Sequence, residues 1–288
     1  MISVLILTKN EQQDLPGCLR SVDWSDDVWV LDSLSTDDTQ AIARAAGARV
    51  IERAFDNWSA HQNWALQNIP FRHPWVFYLD ADERVTPELA ASLRGVTGAR
   101  QDASDAAPTA ASSFPVAYEI HRRDLLGSTW LQHVQLSSFY VRLFRPESIR
   151  YERLVNPVTR VDGETGRLQG YLDHYPFSKG IGWWIARHND YSGKEAREII
   201  AGRANEPPLS LRTALFAQDF QTRRRMQKAI FYRLPGRPLL KFLAIYFGKR
   251  GFLDGRAGLQ VAILQSIYEY LIVAKTRELE AGGPQTIP

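Results

Sequence analysis

Trp75-Val-Phe-Tyr-Leu-Asp-Ala-Asp-Glu83 begins as a buried strand and ends in three acidic residues. Residues 75–79 are aromatic and branched, which is strand character, and Asp80 and Asp82 stand two positions apart where the run stops. At that spacing both carboxylates can face the same way. A hard divalent cation such as Mg²⁺ or Mn²⁺ takes oxygen ligands, keeps positions open for water and phosphate, and is often held by only one or two carboxylates. A second reading is a strand-to-helix turn, because Thr86-Pro87-Glu88 offers an N-cap, a first-turn proline and an early acid.

Outward from this stretch, short apolar runs alternate with helical stretches at the spacing of βαβ units around a mostly parallel sheet. Strands are expected at residues 2–7, 27–31, 48–51 and 75–79, and helices at 12–22, 36–46 and 58–67. Three polar clusters then fall just after three of these strands: Thr8-Lys-Asn-Glu11, Asp32-Ser-Leu-Ser-Thr-Asp37 and Asp80-Ala-Asp82. The carboxyl ends of strands border the ligand crevice of an open α/β sheet, so separate parts of the chain converge on one site. An acid there can accept hydrogen bonds from a nucleobase or ribose while a carboxylate-held cation neutralises a diphosphate. Asn10, Glu11, Ser35 and Thr36 have a simpler reading as helix starts and caps. Neither G-x-G-x-x-G after the first strand nor a P-loop occurs, which excludes the usual dinucleotide and P-loop sites.

Past this sheet, residues 98–113 shift to Ala, Ser, Asp, Thr and Pro, a composition expected of a flexible inserted loop. Further strands are expected at 116–121, 138–144 and 167–174, closing a first domain at residue 178; residues 179–288 read as mainly helical. Between positions 221 and 256, ten Lys or Arg residues face one acid, Asp254, and are interleaved with aromatic residues, which suits an anionic membrane surface better than nucleic acid. Residues 257–279 repeat apolar side chains at helical spacing, but Glu269 interrupts them short of a membrane span, and packing on the core is the simpler expectation. The net charge of +3 implies no partner, and the single cysteine, Cys18, excludes a disulfide framework and fits a reducing compartment. A cytoplasmic chain without signal peptide is expected, with a peripheral place on the inner face of the membrane as the refinement.

Taken in order, Thr8-Lys-Asn-Glu11, Asp32-Ser-x-Ser-Thr-Asp37-x-Thr39 and Leu79-Asp-Ala-Asp-Glu83 resemble the nucleotide-sugar-binding domain of family 2 glycosyltransferases. The resemblance is closest to the bacterial branch of lipopolysaccharide-core β-1,4-glucosyltransferases, and extends to Arg142-Leu-Phe-Arg145, Gly170-Tyr-Leu-Asp-His-Tyr175, Arg187-His-Asn189 and Gly251-Phe-Leu-Asp-Gly255. It implies a GT-A-like, Rossmann-like α/β domain followed by a helical region. It also implies transfer of a hexose, by inversion, from a nucleotide diphosphate sugar, a UDP-sugar foremost, to an envelope glycan, lipopolysaccharide-core or lipid-linked acceptor. Thr8, Asn10, Glu11 and Asp32 would border the nucleotide, Asp80 the ribose or metal, and Asp82 the bridging Mg²⁺ or Mn²⁺, with His174 as a further metal contact. Arg142 and Arg145 would face the diphosphate or a phosphorylated acceptor, or else pair with the acidic loops. Trp130 and Gly182-Trp-Trp184 would stack on sugars or simply pack.

The departure lies at the base. Relatives of that branch carry Val-His-Glu, whose Glu deprotonates the acceptor, where this chain reads Val155-Asn-Pro157. Glu152 or Asp173 would have to substitute, or Asn156 would position the acceptor, or the acceptor would already be anionic, as a polyprenyl phosphate is, or transfer is lost. A non-catalytic sugar- or nucleotide-binding protein and a nucleotidyltransferase are the rival functions.

Overall fold

The structure is a computed structural model that describes residues 1–101, 114–135, 138–152, 158–203 and 209–282. The chain folds into two compact units, one of Met1–Trp130 and Ser137–Ser178, the other of Leu131–Leu136 and Lys179–Pro288.

In the first unit, β1 (Ser3–Thr8) is buried along its whole length. Its alternate residues enter different clusters: Val4 and Ile6 join one core, Leu5 and Leu7 the other. A strand covered on both faces reads as a continuous apolar run, which is why no polar alternation marks it. There follow α1 (Leu15–Arg20), β2 (Val28–Asp32), α2 (Thr39–Ala45), β3 (Arg49–Glu52), α3 (Trp58–Asn68) and β4 (Val76–Asp80). Each of these four strands lies one residue C-terminal to its expected position, so Thr8, Asp32, Glu52 and Asp80 are still hydrogen-bonded ladder residues.

Then come β5 (Glu83–Val85), α4 (Pro87–Gln101), β6 (Ala117–Leu126), β7 (Thr129–Trp130), β8 (Phe139–Phe144), β9 (Ile149–Glu152), β10 (Val158–Val161) and β11 (Thr165–His174). The sheet order is β3-β2-β1-β4-β8-β6-β11-β5, with β7 beside β6 and a separate β9–β10 ribbon. β3, β2, β1 and β4 are parallel, β8 runs antiparallel to β4 and β6, β11 is parallel to β6, and β5 closes the edge antiparallel to β11. Glu83 therefore starts a strand of its own before the helix. Residues 98–101 of the expected loop continue α4, and the rest of it lies outside the described residues.

In the second unit, α5 (Gly180–Arg203), α6 (Leu211–Phe216), α7 (Phe220–Arg233), α8 (Arg237–Leu243) and α9 (Gly255–Glu280) form a helical assembly in which α9 packs on α5 and α8. Asp254 anchors the start of α9, accepting the backbone N–H of His133 and of Val134 at 2.9 and 3.0 Å. Glu269 does not break the outer surface of α9. It is buried against the guanidinium of Arg237, so the acid expected to interrupt the apolar run points inward.

Gly170 sits where β11 meets α4, with φ of +95° and room for no Cβ, which would fall 2.4 Å from the Leu89 nitrogen. Gly170→Ala should therefore destabilise by about 2 kcal/mol or more in urea unfolding. Gly95→Ala, in α4 with nothing within 4 Å of the new Cβ, should stabilise by about 0.5–1 kcal/mol.

Candidate active site

The parallel register brings the three polar clusters to one edge: Thr8 lies opposite Asp32, and Leu7 opposite Asp80. At the β1–β2 end, Asp32 is wholly buried and each of its carboxylate oxygens takes two donors. Thr8 Oγ1 and Ser35 Oγ bind one at 2.8 and 2.5 Å, and the Ser35 N–H and Gln40 Nε2 bind the other at 2.8 and 2.9 Å. Asp32 is thus the internal organiser of its loop. The two loops are laced to each other: Asn10 N–H donates to Ser35 Oγ at 2.8 Å, Thr36 N–H to Asn10 Oδ1 at 2.9 Å, and Glu11 N–H to Thr39 Oγ1 at 2.7 Å. Lys9 Nζ ties down the carbonyls of Ser33 and Leu34. Asn10 and Leu34 adopt left-handed backbone, with φ of +54° and +60°, a strained arrangement for residues other than glycine that this lacing over-determines.

At the end of β4, Asp80 accepts from Tyr78 OH at 2.6 Å and from Arg142 at 2.9 Å. Glu83 turns back beneath it, taking the Asp80 N–H at 3.0 Å and the same Arg142 nitrogen at 2.7 Å. Arg142 is buried with Glu83, while Asp80 stays one-third exposed, and it stacks over Tyr78, 4.5 Å from the ring centroid. Burial and the Asp80 charge push Glu83 up to about 7 despite Arg142, while its two carboxylate neighbours hold Arg142 firmly protonated. Of the alternatives for this arginine, pairing with the acidic loop is the arrangement found.

Asp82 stays partly exposed, 27% in its side chain, and lies 3.3 Å from His174 Nε2. The other ring nitrogen, Nδ1, is held by Asp124, which stands opposite His174 in the parallel β6–β11 register. Burial lowers the His174 pKa, but the two carboxylates outweigh it and raise it to about 9. Burial in turn raises Asp82, and the His174 hydrogen bond and charge bring it below the ordinary carboxylate value. An imidazole with one nitrogen fixed by a carboxylate and the other beside an exposed carboxylate is a familiar frame for a metal ligand. Among the described residues no group of three or more His, Cys, Asp or Glu side chains is placed to hold a metal ion. Asp82 and His174 are a pair that could supply two ligands to a hard cation whose other ligands came from phosphate and water.

The remaining candidates lie elsewhere. Arg145 follows Phe144, which pairs with Val76, so it sits at the opposite end of β4, over Trp75 at 5.3 Å. Glu152 ends β9 between Arg150 and Arg160 at 3.0 and 2.9 Å, and both guanidinium groups lower its pKa, the reverse of what a base needs. Asp173 precedes His174 and points to the other face of β11, chelated through both oxygens by Arg123. On that face Trp130 and Tyr171 lie 5.4 Å apart, with Arg123 4.7 Å over Tyr171. Asn156 lies outside the described residues. In the second unit, Trp184 is buried and stacked on His188, whereas Trp183 is exposed. Tyr78, Glu83 and Asp124 went unassigned in the sequence; for Asp124 the missing signal was the β6–β11 register.

With this geometry in view, three comparisons bear on the chain. The profile described as glycosyl transferase family 2 matches residues 3–157. An uncharacterized glycosyltransferase of Rickettsia typhi is 25% identical over 298 residues, covering 99% of this chain and 90% of its own. The lipopolysaccharide core biosynthesis glycosyltransferase LpsC of Rhizobium meliloti is 24% identical over 291 residues, covering 97% and 93%. The crystal structure of S. aureus TarS 1–349 in complex with UDP-GlcNAc aligns with 100% of this chain and 93% of its own, at 12% identity and a TM-score of 0.44. The family match spans more than half of the 288 residues and contains all three convergent loops, and the chain belongs to glycosyl transferase family 2.

Proposed function

We propose that this family 2 enzyme transfers a hexose, with inversion, from a nucleotide diphosphate sugar, a UDP-sugar foremost, to a lipopolysaccharide-core, envelope-glycan or lipid-linked acceptor. The observation that carries the donor half is the approach of His174 to Asp82, two residues beyond the end of β4, at the strand edge that also carries Thr8, Asp32 and Asp80. The nucleoside would lie across the laced loops, bordered by Thr8, Asn10 and Glu11, with Asp32 holding the loop in shape from beneath. Asp82 and His174 would hold Mg²⁺ or Mn²⁺, and such a cation, when bound, stabilises the charge that gathers on the departing diphosphate. Asp124 keeps the His174 ring oriented for that task, and Arg142 allows Asp80 and Glu83 to stand together. The name of the Rhizobium relative supports a lipopolysaccharide-core acceptor, and the basic, aromatic second unit supports a peripheral place on the cytoplasmic face of the membrane.

For the base, Asp173 is favoured over Glu152 because it shares its face of β11 with the half-buried rings of Tyr171 and Trp130, a surface on which a sugar could stack, although that face is the one opposite His174. Its chelation by Arg123 must loosen as the acceptor binds. A specific observation favours the rival, non-catalytic reading: both candidate bases are neutralised by arginines. Donor turnover separates the two.

Asp82→Asn should lower Mn²⁺-dependent release of nucleoside diphosphate by about 10²-fold or more, and abolish the Mn²⁺-dependent rise in melting temperature with UDP, while the circular dichroism spectrum is unchanged. Binding of UDP-sugars by the parent protein without any turnover, even with membrane extract as acceptor, would leave the non-catalytic reading. Asp173→Asn should reduce kcat far more than it alters KM, whereas Glu152→Gln should leave both near the parent values; the opposite pattern would move the base to Glu152. Arg142→Leu should cost about 3 kcal/mol in chemical denaturation, since it leaves buried carboxylate charge without its partner.

A further inference from the structure

Helix α9 shows an apolar stripe to solvent. Leu259, Ile263, Ile267 and Tyr270 are 37–60% exposed, and their spacing puts them within one narrow sector of the helix. The opposite sector carries the buried residues, among them Val261, Glu269, Ile272 and Thr276. The exposed stripe is bracketed by Arg256 and Arg277, about 31 Å apart along the axis. Leading into it, Leu239, Leu243 and Phe247 repeat every fourth position and are 40–62% exposed. α8 is fixed to α9 by the Arg237–Glu269 pair and by Ser266 Oγ donating to the Pro238 carbonyl at 2.8 Å.

Charge decides what such a surface would meet. From Arg237 to Arg277 the two acids, Asp254 and Glu269, are both buried, one against His133 and the other against Arg237. Lys249, Arg250, Arg256 and Arg277 remain exposed. Lys249 also stands near Lys241, whose like charge adds to partial burial in lowering its pKa. Beyond Arg277 the helix ends with Glu278 and Glu280 exposed, but along the stripe itself the cations sit on the rim of an apolar surface and the acids Asp254 and Glu269 are turned inward, which complements anionic headgroups above acyl chains.

We propose that α8 and α9 seat this stripe in the interfacial plane of an anionic lipid surface. This deepens the membrane part of the function above and does not depend on its donor chemistry. Residues 251–280 are long and apolar enough to cross a bilayer, but the buried sector with Glu269 and Thr276, packed on α5 and α8, gives the helix one lipid-facing side only. In-plane seating satisfies both sides.

The test is co-sedimentation of the full chain with vesicles of phosphatidylcholine alone or with about one-third phosphatidylglycerol, at low and high salt. Binding should be at least about fivefold greater with the anionic lipid, weaken in high salt, and be released by alkaline carbonate. Ile263→Glu with Ile267→Glu should reduce binding to the level of phosphatidylcholine alone without changing the melting temperature or donor hydrolysis. Arg256→Glu with Arg277→Glu, which leaves the apolar stripe intact, should remove the preference for anionic lipid. Equal binding by parent and variants, no binding at low salt, or resistance to carbonate would overturn the proposal. So would a parent dimer that the Ile263/Ile267 variant dissociates. A chain that binds vesicles but turns over no donor would sink the transferase reading alone, and an active chain indifferent to vesicles would sink this one alone.

Discussion

The site rests on one buried guanidinium. Asp80, Asp82 and Glu83 crowd the end of β4, and unscreened like charges at such separations repel by several kcal/mol in a partly desolvated setting. Arg142 lies under Asp80 and Glu83, within 2.9 Å of both, and removes most of that repulsion. It reaches them because β8 is inserted antiparallel between β4 and β6. The parallel half of the sheet supplies the acids, and the mixed half supplies the counter-charge that offsets part of their repulsion, although burial and Asp80 still push Glu83 up to about 7.

The same division of labour recurs at His174. Asp82 belongs to the loop after β4, while His174 and Asp124 come from the parallel pair β11 and β6 across the sheet. Three segments distant in sequence thus set one imidazole in position, with its carboxylate-facing nitrogen presented at the edge. Gly170 makes this possible, since only a residue without Cβ lets β11 lie close to α4 on the way to His174.

Position on the sheet also decides what a buried acid does. Asp27, at the amino end of β2, takes Ser3 Oγ at 2.5 Å, Trp29 Nε1 at 3.0 Å, Arg49 at 2.8 Å and the Arg72 N–H at 2.7 Å, and so staples strands and a loop far from the ligand edge. Asp32, five residues on at the carboxyl end of the same strand, spends the same four-donor capacity on shaping the loop that borders the crevice. Both are structural acids, and only the second is structural at the site. Its sequence motif reads as ligand contact; in the structure its carboxylate accepts from Thr8, Ser35 and Gln40.

The fold was legible because its signals are local. Apolar runs ending in polar residues located β1 to β4, with the one-residue displacement arising because the ladder keeps each terminal Thr, Asp or Glu paired. Parallel order then sufficed to bring Thr8, Asp32 and Asp80 together, so the convergence of these loops on one sheet edge was contained in the sequence. For α9 the expected packed helix is found, but the place of Glu269 was not legible: a charge in an apolar pattern looks like an interruption until Arg237, 32 positions away, turns it inward. Arg142, Arg145 and Asp173 were undecided, and Asp124 unassigned, for the same reason, since strand register sets which face and which end a side chain occupies. The sequence by itself determined the chemistry available and the sheet that carries it. Only the tertiary structure decided which charges are neutralised from within and which remain to meet a ligand, because burial and pairing depend on neighbours that no local pattern names.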